Sequence, residues 1–197
     1  MPKLAFKHFS LFLLAILLLS PSFSQDIANS NLRISVSYFG EFITHPGIRL
    51  GLGKKLSDRK AKEGIQKSWI ADINLTYYKH KRNHEALMVG ASIGRERIGR
   101  KGLLSQLNLG LAYMSSFLDG EVYSWNGEEI IEGNRHSAHA SFGINGGLGW
   151  DFGKNSSFPL AFLINPHLYF QAPYTSWLLP RIALEVKLIY PLQSKKS

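Results

Sequence analysis

A histidine and a serine two residues apart form the pair in this chain with the clearest capacity for nucleophilic chemistry. His139 and Ser141 flank Ala140, and a spacing of two places both side chains on one face of a strand. There the imidazole could take the hydroxyl proton and activate the serine oxygen for attack on a carbonyl. Such a pair needs a carboxylate in direct contact with the imidazole. The next acid along the chain, Asp151, follows twelve residues later, about 40 Å away on an unbroken strand.

Histidines form a second constellation. Five of the seven histidines fall near predicted strand ends on the side opposite the chain termini: His45, His80, His84, His136 and His139. A cluster there could bind a metal ion or respond to pH. The pairs lack helical ligand spacing and the chain has no Cys, so we expect ordinary hydrogen-bonding histidines, without a metal or another cofactor, and keep a metal site as the alternative.

A long polar segment, residues 118–136, combines aromatic and acidic side chains. It contains Tyr123 and Trp125 and an acidic group formed by Glu128, Glu129 and Glu132. Exposed aromatics beside acids could bind a surface ligand. The residues between 121 and 131 are also typical of strands, so we favour a longer β-hairpin that protrudes from the fold.

Charged residues recur on one parity of the predicted strands. The predicted set is Arg33, Arg49, Asp72, Glu96, Asp151, Arg181, Glu185 and Lys187. Charges of both signs inside a narrow enclosure should pair, because an isolated buried ion is costly. We therefore predict a packed polar network rather than a conducting pore.

The periodicity of the sequence predicts the strands that position these residues. Period-two alternation between turn signals predicts eight strands, at 31–43, 46–56, 67–80, 85–98, 103–117, 137–153, 158–172 and 178–190. The sixth is long enough to cross a bilayer, for which roughly 9 to 11 tilted residues suffice. Asn145, Gly146 and Gly147 offer an alternative hairpin turn, but the alternation runs through them, so we keep this strand whole.

The two parities differ in composition, and this difference predicts which face points inward. Most strand glycines fall on the polar parity, as expected for the interior of a narrow barrel. The other parity is aliphatic, with aromatics towards both ends, Trp69, Trp150, Phe152 and Tyr190 at one and Tyr38, Tyr77, Tyr113 and Phe170 at the other. Two aromatic girdles around an aliphatic band are typical of a membrane barrel. A soluble lipocalin-like barrel that binds an apolar ligand would have the faces reversed and remains the alternative.

The N-terminal segment, residues 1–24, is predicted to be a signal peptide. It has basic Lys3 and Lys7, an apolar run from Phe9 to Leu19, and a small-residue end. We assign the remaining residues, 25–197, to one barrel domain. The net charge of +9 comes from scattered residues, which favours anionic membrane lipid or lipopolysaccharide over nucleic acid as a partner. The absence of Cys excludes a disulfide scaffold and a lipoprotein anchor.

With this pattern the chain resembles the small outer-membrane β-barrel proteins of Gram-negative bacteria, including OmpA-like, OmpX-like and lipid A deacylase barrels. The segments from His45 to Gly51 and from Tyr77 to His84 are similar to segments of uncharacterised proteins in this group. The resemblance implies an eight-stranded antiparallel up-and-down transmembrane β-barrel in the outer membrane. It also implies recognition of a terminal aromatic by the outer-membrane assembly machinery; Tyr190 is the candidate, followed here by residues 191–197.

The spacing of His139 and Ser141 also resembles that of the lipid A deacylase barrels, in which a Glu follows. The position fourteen after His139 is Gly153, so the third catalytic group is missing. We therefore expect a barrel with a closed polar lumen, exposed loops and a structural or surface-binding role. A lipid A acyl hydrolase using Ser141 and His139 is the enzymatic alternative.

Overall fold

The computed structural model describes residues 32–43, 45–60, 64–81, 83–156, 158–174 and 177–192, with the backbone alone at 58–60, 174 and 177. The predicted signal peptide lies outside these residues. The described residues form ten strands: β1 Leu32–Glu41, β2 Gly47–Lys60, β3 Gln66–His80, β4 His84–Ile98, β5 Leu103–Leu118, β6 Tyr123–Trp125, β7 Ile130–Glu132, β8 His136–Asp151, β9 Ala161–Tyr174 and β10 Trp177–Pro191.

Eight of these strands close into an antiparallel barrel in the order β1-β10-β9-β8-β5-β4-β3-β2. The first and last strands complete the ring, with Ile34 opposite Tyr190, so the predicted up-and-down barrel is confirmed. We call the side on which β1 begins, β10 ends and the connections β2–β3, β4–β5 and β8–β9 lie the turn end. The opposite side is the loop end, and there β6 and β7 form a separate hairpin.

Several predicted strand bounds differ from those of the structure. β2 extends to Lys60 and β3 begins at Gln66, so both strands run beyond the bounds predicted at 56 and 67. β8 continues through Asn145 and the two following glycines, so the alternative hairpin turn there is wrong. The chain leaves the sheet at Phe152, which begins a 3₁₀ turn, Phe152–Lys154.

The outer surface of the barrel is aliphatic, as predicted from the parity. Leu109, Leu111 and Leu148 on adjacent strands β5 and β8 are 62%, 71% and 65% exposed, and the same face of every other barrel strand carries exposed aliphatic or aromatic residues. Trp69 and Trp150 lie near the turn end, and Tyr38 and Tyr113 lie near the loop end. A lipocalin-like barrel would have the reverse arrangement. Within the described part of the chain, none of the helical segments has the length and hydropathy of a membrane-spanning helix.

The barrel interior contains apolar clusters as well as charged and polar residues. An apolar cluster closes the loop end, formed by Phe39, Tyr78, Ala86, Met88, Met114, Tyr169 and Ala183. A second cluster closes the turn end, formed by Ile98, Leu104, Ala161, Leu163 and Ile189. The lumen predicted to be polar therefore also contains two apolar plugs. They were missed because the prediction followed the charged members of the inward parity and not its large apolar members.

Inward glycines let the strands approach closely. A Cβ at Gly149 of β8 would lie 1.8 Å from the Phe162 carbonyl oxygen, and one at Gly143 would lie 2.5 Å from the Leu168 carbonyl oxygen. Real Cβ atoms do not approach backbone oxygens this closely. These two positions therefore require glycine, in agreement with the placement of glycine on the interior face.

Candidate functional site: the polar lumen and the loop-end rim

The first layer of the lumen, nearest the turn end, is built around Glu96 of β4. Arg33 Nη1 donates to Glu96 Oε2 at 2.5 Å, and Gln106 Nε2 donates to the same oxygen at 2.6 Å. Arg33 also contacts both oxygens of Asp72 at 3.2 Å, and Lys55 Nζ lies 3.3 Å from Glu96 Oε1. The buried carboxylate is therefore compensated by two cations, as a charge in this environment requires.

The second layer surrounds Glu185 of β10, which is fully buried. Arg49 Nη1 and Lys187 Nζ lie 3.5 and 3.6 Å from its carboxylate. His167 Nε2 is 2.8 Å from Glu185 Oε2, and Ser37 Oγ donates to Oε1 at 2.6 Å. The carboxylate thus links residues from β1, β2, β9 and β10 across the lumen.

The third layer, nearest the loop end, is built around Glu41, which is not among the residues predicted from the sequence. Arg181 Nη1 donates to Glu41 Oε1 at 2.6 Å, and the Tyr169 hydroxyl donates to the same oxygen at 3.2 Å. Glu41 shares the parity of Arg33 and Ser37 on β1. Its place on the inward parity of β1 was therefore enough to predict that Glu41 faces the lumen.

The structure joins seven of the eight predicted network residues in these layers. Asp151 lies instead at the last position of β8, half-buried at the turn-end mouth, where its backbone N–H donates to the Gly102 carbonyl oxygen at 2.8 Å. Between the layers lies a cavity of about 70 Å³, lined in part by Gly51, Gly90 and Gly110. A cavity of this size has room for a few water molecules, since one water needs roughly 10 to 15 Å³.

His139 and Ser141 lie on the inward face of β8 towards the loop end, and each hydrogen-bonds to another group. His139 Nδ1 is 2.7 Å from the Pro173 carbonyl oxygen, and Nε2 is 3.0 Å from Ser137 Oγ. Ser141 is buried, and its Oγ donates to the Ala112 carbonyl oxygen at 3.5 Å. A backbone carbonyl therefore occupies the place on Nδ1 where a catalytic triad has a carboxylate.

The loop-end histidines divide into separate groups. The rings of His45 and His80 lie 3.6 Å apart, and those of His80 and His84 lie 5.5 Å apart. His136 contacts Ser115 Oγ at 2.7 Å and packs on Phe117, as a hydrogen-bonding rim residue. Among the residues that the structure describes, no three His, Asp or Glu side chains are placed to hold a metal ion.

The long loop folds as the predicted protruding hairpin. β6 pairs with β7 through Tyr123 to Trp125, and Asn126 Oδ1 accepts hydrogen bonds from the backbone N–H groups of Glu128 and Glu129 at 2.9 and 2.8 Å. Trp125 is 66% exposed. Tyr123 donates to Glu121, and this hydrogen bond raises the pKa of the tyrosine hydroxyl. The hairpin therefore presents aromatic and acidic groups to solvent.

Comparisons with known proteins place the fold. No family model and no curated protein matches the chain. The structure of Neisserial surface protein A aligns with a TM-score of 0.56 and 10% identity, covering 82% of this chain and 96% of that one. The outer membrane enzyme PagL aligns with a TM-score of 0.51 and 12% identity, covering 81% and 99%. Identities this low establish the fold alone, which is that of the small outer-membrane barrels, as the sequence predicted.

Proposed function

We propose that this protein is an outer-membrane barrel with a closed lumen that displays the β6–β7 hairpin at the cell surface. The continuous aliphatic outer face is the observation that carries this proposal. Each large aliphatic side chain moved from water into hydrocarbon contributes about 1.5 to 3 kcal/mol. In water, an apolar surface of this extent would promote aggregation.

The filled lumen supports a display role rather than transport. Three layers of paired charges and two apolar clusters occupy the lumen, and eight strands leave an interior that side chains can fill. With the turn end on the periplasmic side, the exposed Tyr123 and Trp125 face the cell exterior. We propose that a surface ligand binds this hairpin and that membrane lipid surrounds the barrel.

Export and assembly complete the proposal. Residues 1–24 would direct export, and Tyr190, which is exposed on the outer face of β10, would be recognised by the assembly machinery. We do not extend the proposal to lipid A hydrolysis. The Nδ1 contact of His139 with a backbone carbonyl and the burial of Ser141 do not favour it.

Two arginine substitutions on the outer face of β5 test the membrane location. Leu109 lies at mid-strand and Leu103 at the turn end of the same strand, and both are exposed. In a bilayer, an arginine at the midplane costs about 2 to 4 kcal/mol and one near the interface about 0 to 1 kcal/mol. We expect Leu109→Arg to lower the free energy of unfolding in vesicles, and Leu103→Arg to leave it nearly unchanged.

Urea unfolding in phosphatidylcholine vesicles measures this difference. Heat-modifiable migration on gels and retention in the outer-membrane fraction provide the cellular readouts. Equal effects of both substitutions, together with recovery of the native protein in the soluble fraction, would contradict the proposal.

A further inference from the structure

Basic side chains cluster on the outer face of the barrel at the turn end. Lys67 of β3 pairs with Arg97 of β4, and Trp69 pairs with Arg95 in the same ladder. All four residues are exposed. The three cations therefore lie side by side on two adjacent strands, around one of the aromatic residues of the turn-end girdle.

These residues line a surface groove of about 780 Å³. The Arg95 guanidinium lies 4.7 Å from the centre of the Trp69 ring, and Ser57 and Ser105 add hydroxyl groups to the lining. Leu107 lines the side towards the barrel middle, where the aliphatic band begins. The groove is thus lined by cationic and hydroxyl groups towards the turn end and by an apolar side chain towards the barrel middle.

The only carboxylate among the described lining residues is already neutralised. Glu96 contributes to the groove but is buried and bound by Arg33 and Lys55 from the lumen side. Among the described side chains, the ion pairs of the barrel do not include Lys67, Arg95 or Arg97. The groove therefore retains its positive charge.

The loop end has a different charge balance. There, Lys79 pairs with Glu85 and Arg135 pairs with Glu132, and the hairpin adds further acids. The excess of outward positive charge is therefore at the turn end. Planar guanidinium groups match the geometry of phosphate oxygens, and basic residues near an interface attract anionic lipid.

We propose that this groove binds the phosphodiester headgroup of an anionic phospholipid from the leaflet at the turn end. Arg95, Arg97 and Lys67 contact the phosphate oxygens, the serine hydroxyls contact the polar headgroup, and an acyl chain lies along Leu107. The inference rests on the proposed membrane location. It assigns the anionic partner to the periplasmic leaflet rather than to the lipopolysaccharide of the opposite one.

The test uses the protein in bilayer nanodiscs that contain equal parts of phosphatidylglycerol and phosphatidylcholine with identical acyl chains. Native mass spectrometry then counts the lipids of each kind that stay bound. We expect wild-type protein to retain phosphatidylglycerol several-fold over phosphatidylcholine. The triple variant Lys67→Gln, Arg95→Gln, Arg97→Gln should lose this preference.

A matched triple variant at the loop end, Lys79→Gln, Lys81→Gln, Arg135→Gln, removes the same charge and should keep the preference. Equal retention of the two lipids by wild-type protein would overturn the inference. The inference would also be overturned if both variants lost the preference for phosphatidylglycerol equally, or if only the loop-end variant lost it. Heat-modifiable migration confirms that each variant is folded. Failure of folded wild-type protein to enter the nanodisc would instead contradict the proposed membrane location.

Discussion

Three glutamates inside the barrel each bind a cation from another strand. Glu96, Glu185 and Glu41 are almost fully buried, and their partners include Arg33, Arg49 and Arg181 respectively. The low dielectric of the interior strengthens each attraction but also raises the cost of an unpaired charge. These contacts therefore make the lumen intolerant of single charge deletions.

Replacing Arg33 with methionine tests this intolerance. Arg33→Met leaves Asp72 and Glu96 without their shared guanidinium, and we expect the free energy of unfolding to fall by about 3 to 5 kcal/mol. Lys79→Met removes the exposed pair with Glu85 and should have little effect, because solvent screens that pair. Urea unfolding in vesicles measures both variants, and similar small changes would show that the lumen pairs are solvated.

The glycines of β8 give a second residue-scale prediction. A Cβ at outward-facing Gly146 would meet Leu107 Cδ1 at 3.4 Å, whereas one at inward-facing Gly149 would meet the Phe162 carbonyl oxygen at 1.8 Å. We expect Gly146→Ala to fold with unchanged heat-modifiable migration and Gly149→Ala to prevent normal folding. Normal folding of Gly149→Ala would contradict the close approach of β8 and β9.

At the scale of elements, periodicity predicted all eight barrel strands because each has one lipid-facing and one inward side. The side-chain partners could not be predicted in the same way. Arg33 and Glu96 lie on β1 and β4, which are not adjacent, and their meeting depends on the register of every strand between them. Alternation leaves that register open to shifts of two residues, because such a shift keeps every side chain on its own face. For the same reason, the contact of His139 Nδ1 with the Pro173 carbonyl oxygen could not be predicted from the sequence.

The ladder between β8 and β9 contains one local defect that follows from sequence. Its pairing includes Asn145 with His167 and Leu148 with Ile164 but omits the two positions between them. Pro166 occupies one of these positions opposite Gly146, and proline has no N–H to donate. The Gly146 carbonyl therefore lacks the ladder donor that another residue at 166 would supply.

Pro166→Val should repair this ladder. The new N–H can donate to the Gly146 carbonyl, and the gain for such a hydrogen bond is about 0.5 to 1.5 kcal/mol. We expect slower hydrogen exchange at the amides of Gly146 and Leu168, measured in vesicles by mass spectrometry. Ala140→Val on the same face of β8 is the control, since its pairing with Ala172 is complete. Unchanged exchange in Pro166→Val would show that the ladder is interrupted for another reason.

At the scale of the whole molecule, the barrel and the hairpin are separate sheets with separate roles. β5 and β8 pair without interruption up to Phe117 and His136, and the Leu118 N–H donates to the Arg135 carbonyl oxygen at 2.9 Å. The sheet therefore closes below the hairpin. The sequence predicted a protruding hairpin here because the residues between 121 and 131 are typical of strands.

Deleting the hairpin should therefore leave the barrel intact. Replacing residues 121–133 with a short glycine linker keeps Asp119, whose N–H donates to the Asn83 carbonyl oxygen at 2.8 Å. We expect unchanged heat-modifiable migration and an unchanged urea midpoint in vesicles, since every barrel pairing is retained. A lower midpoint would mean that the hairpin stabilises the barrel. The hairpin would then be part of the folded core and not a separate binding surface displayed by it.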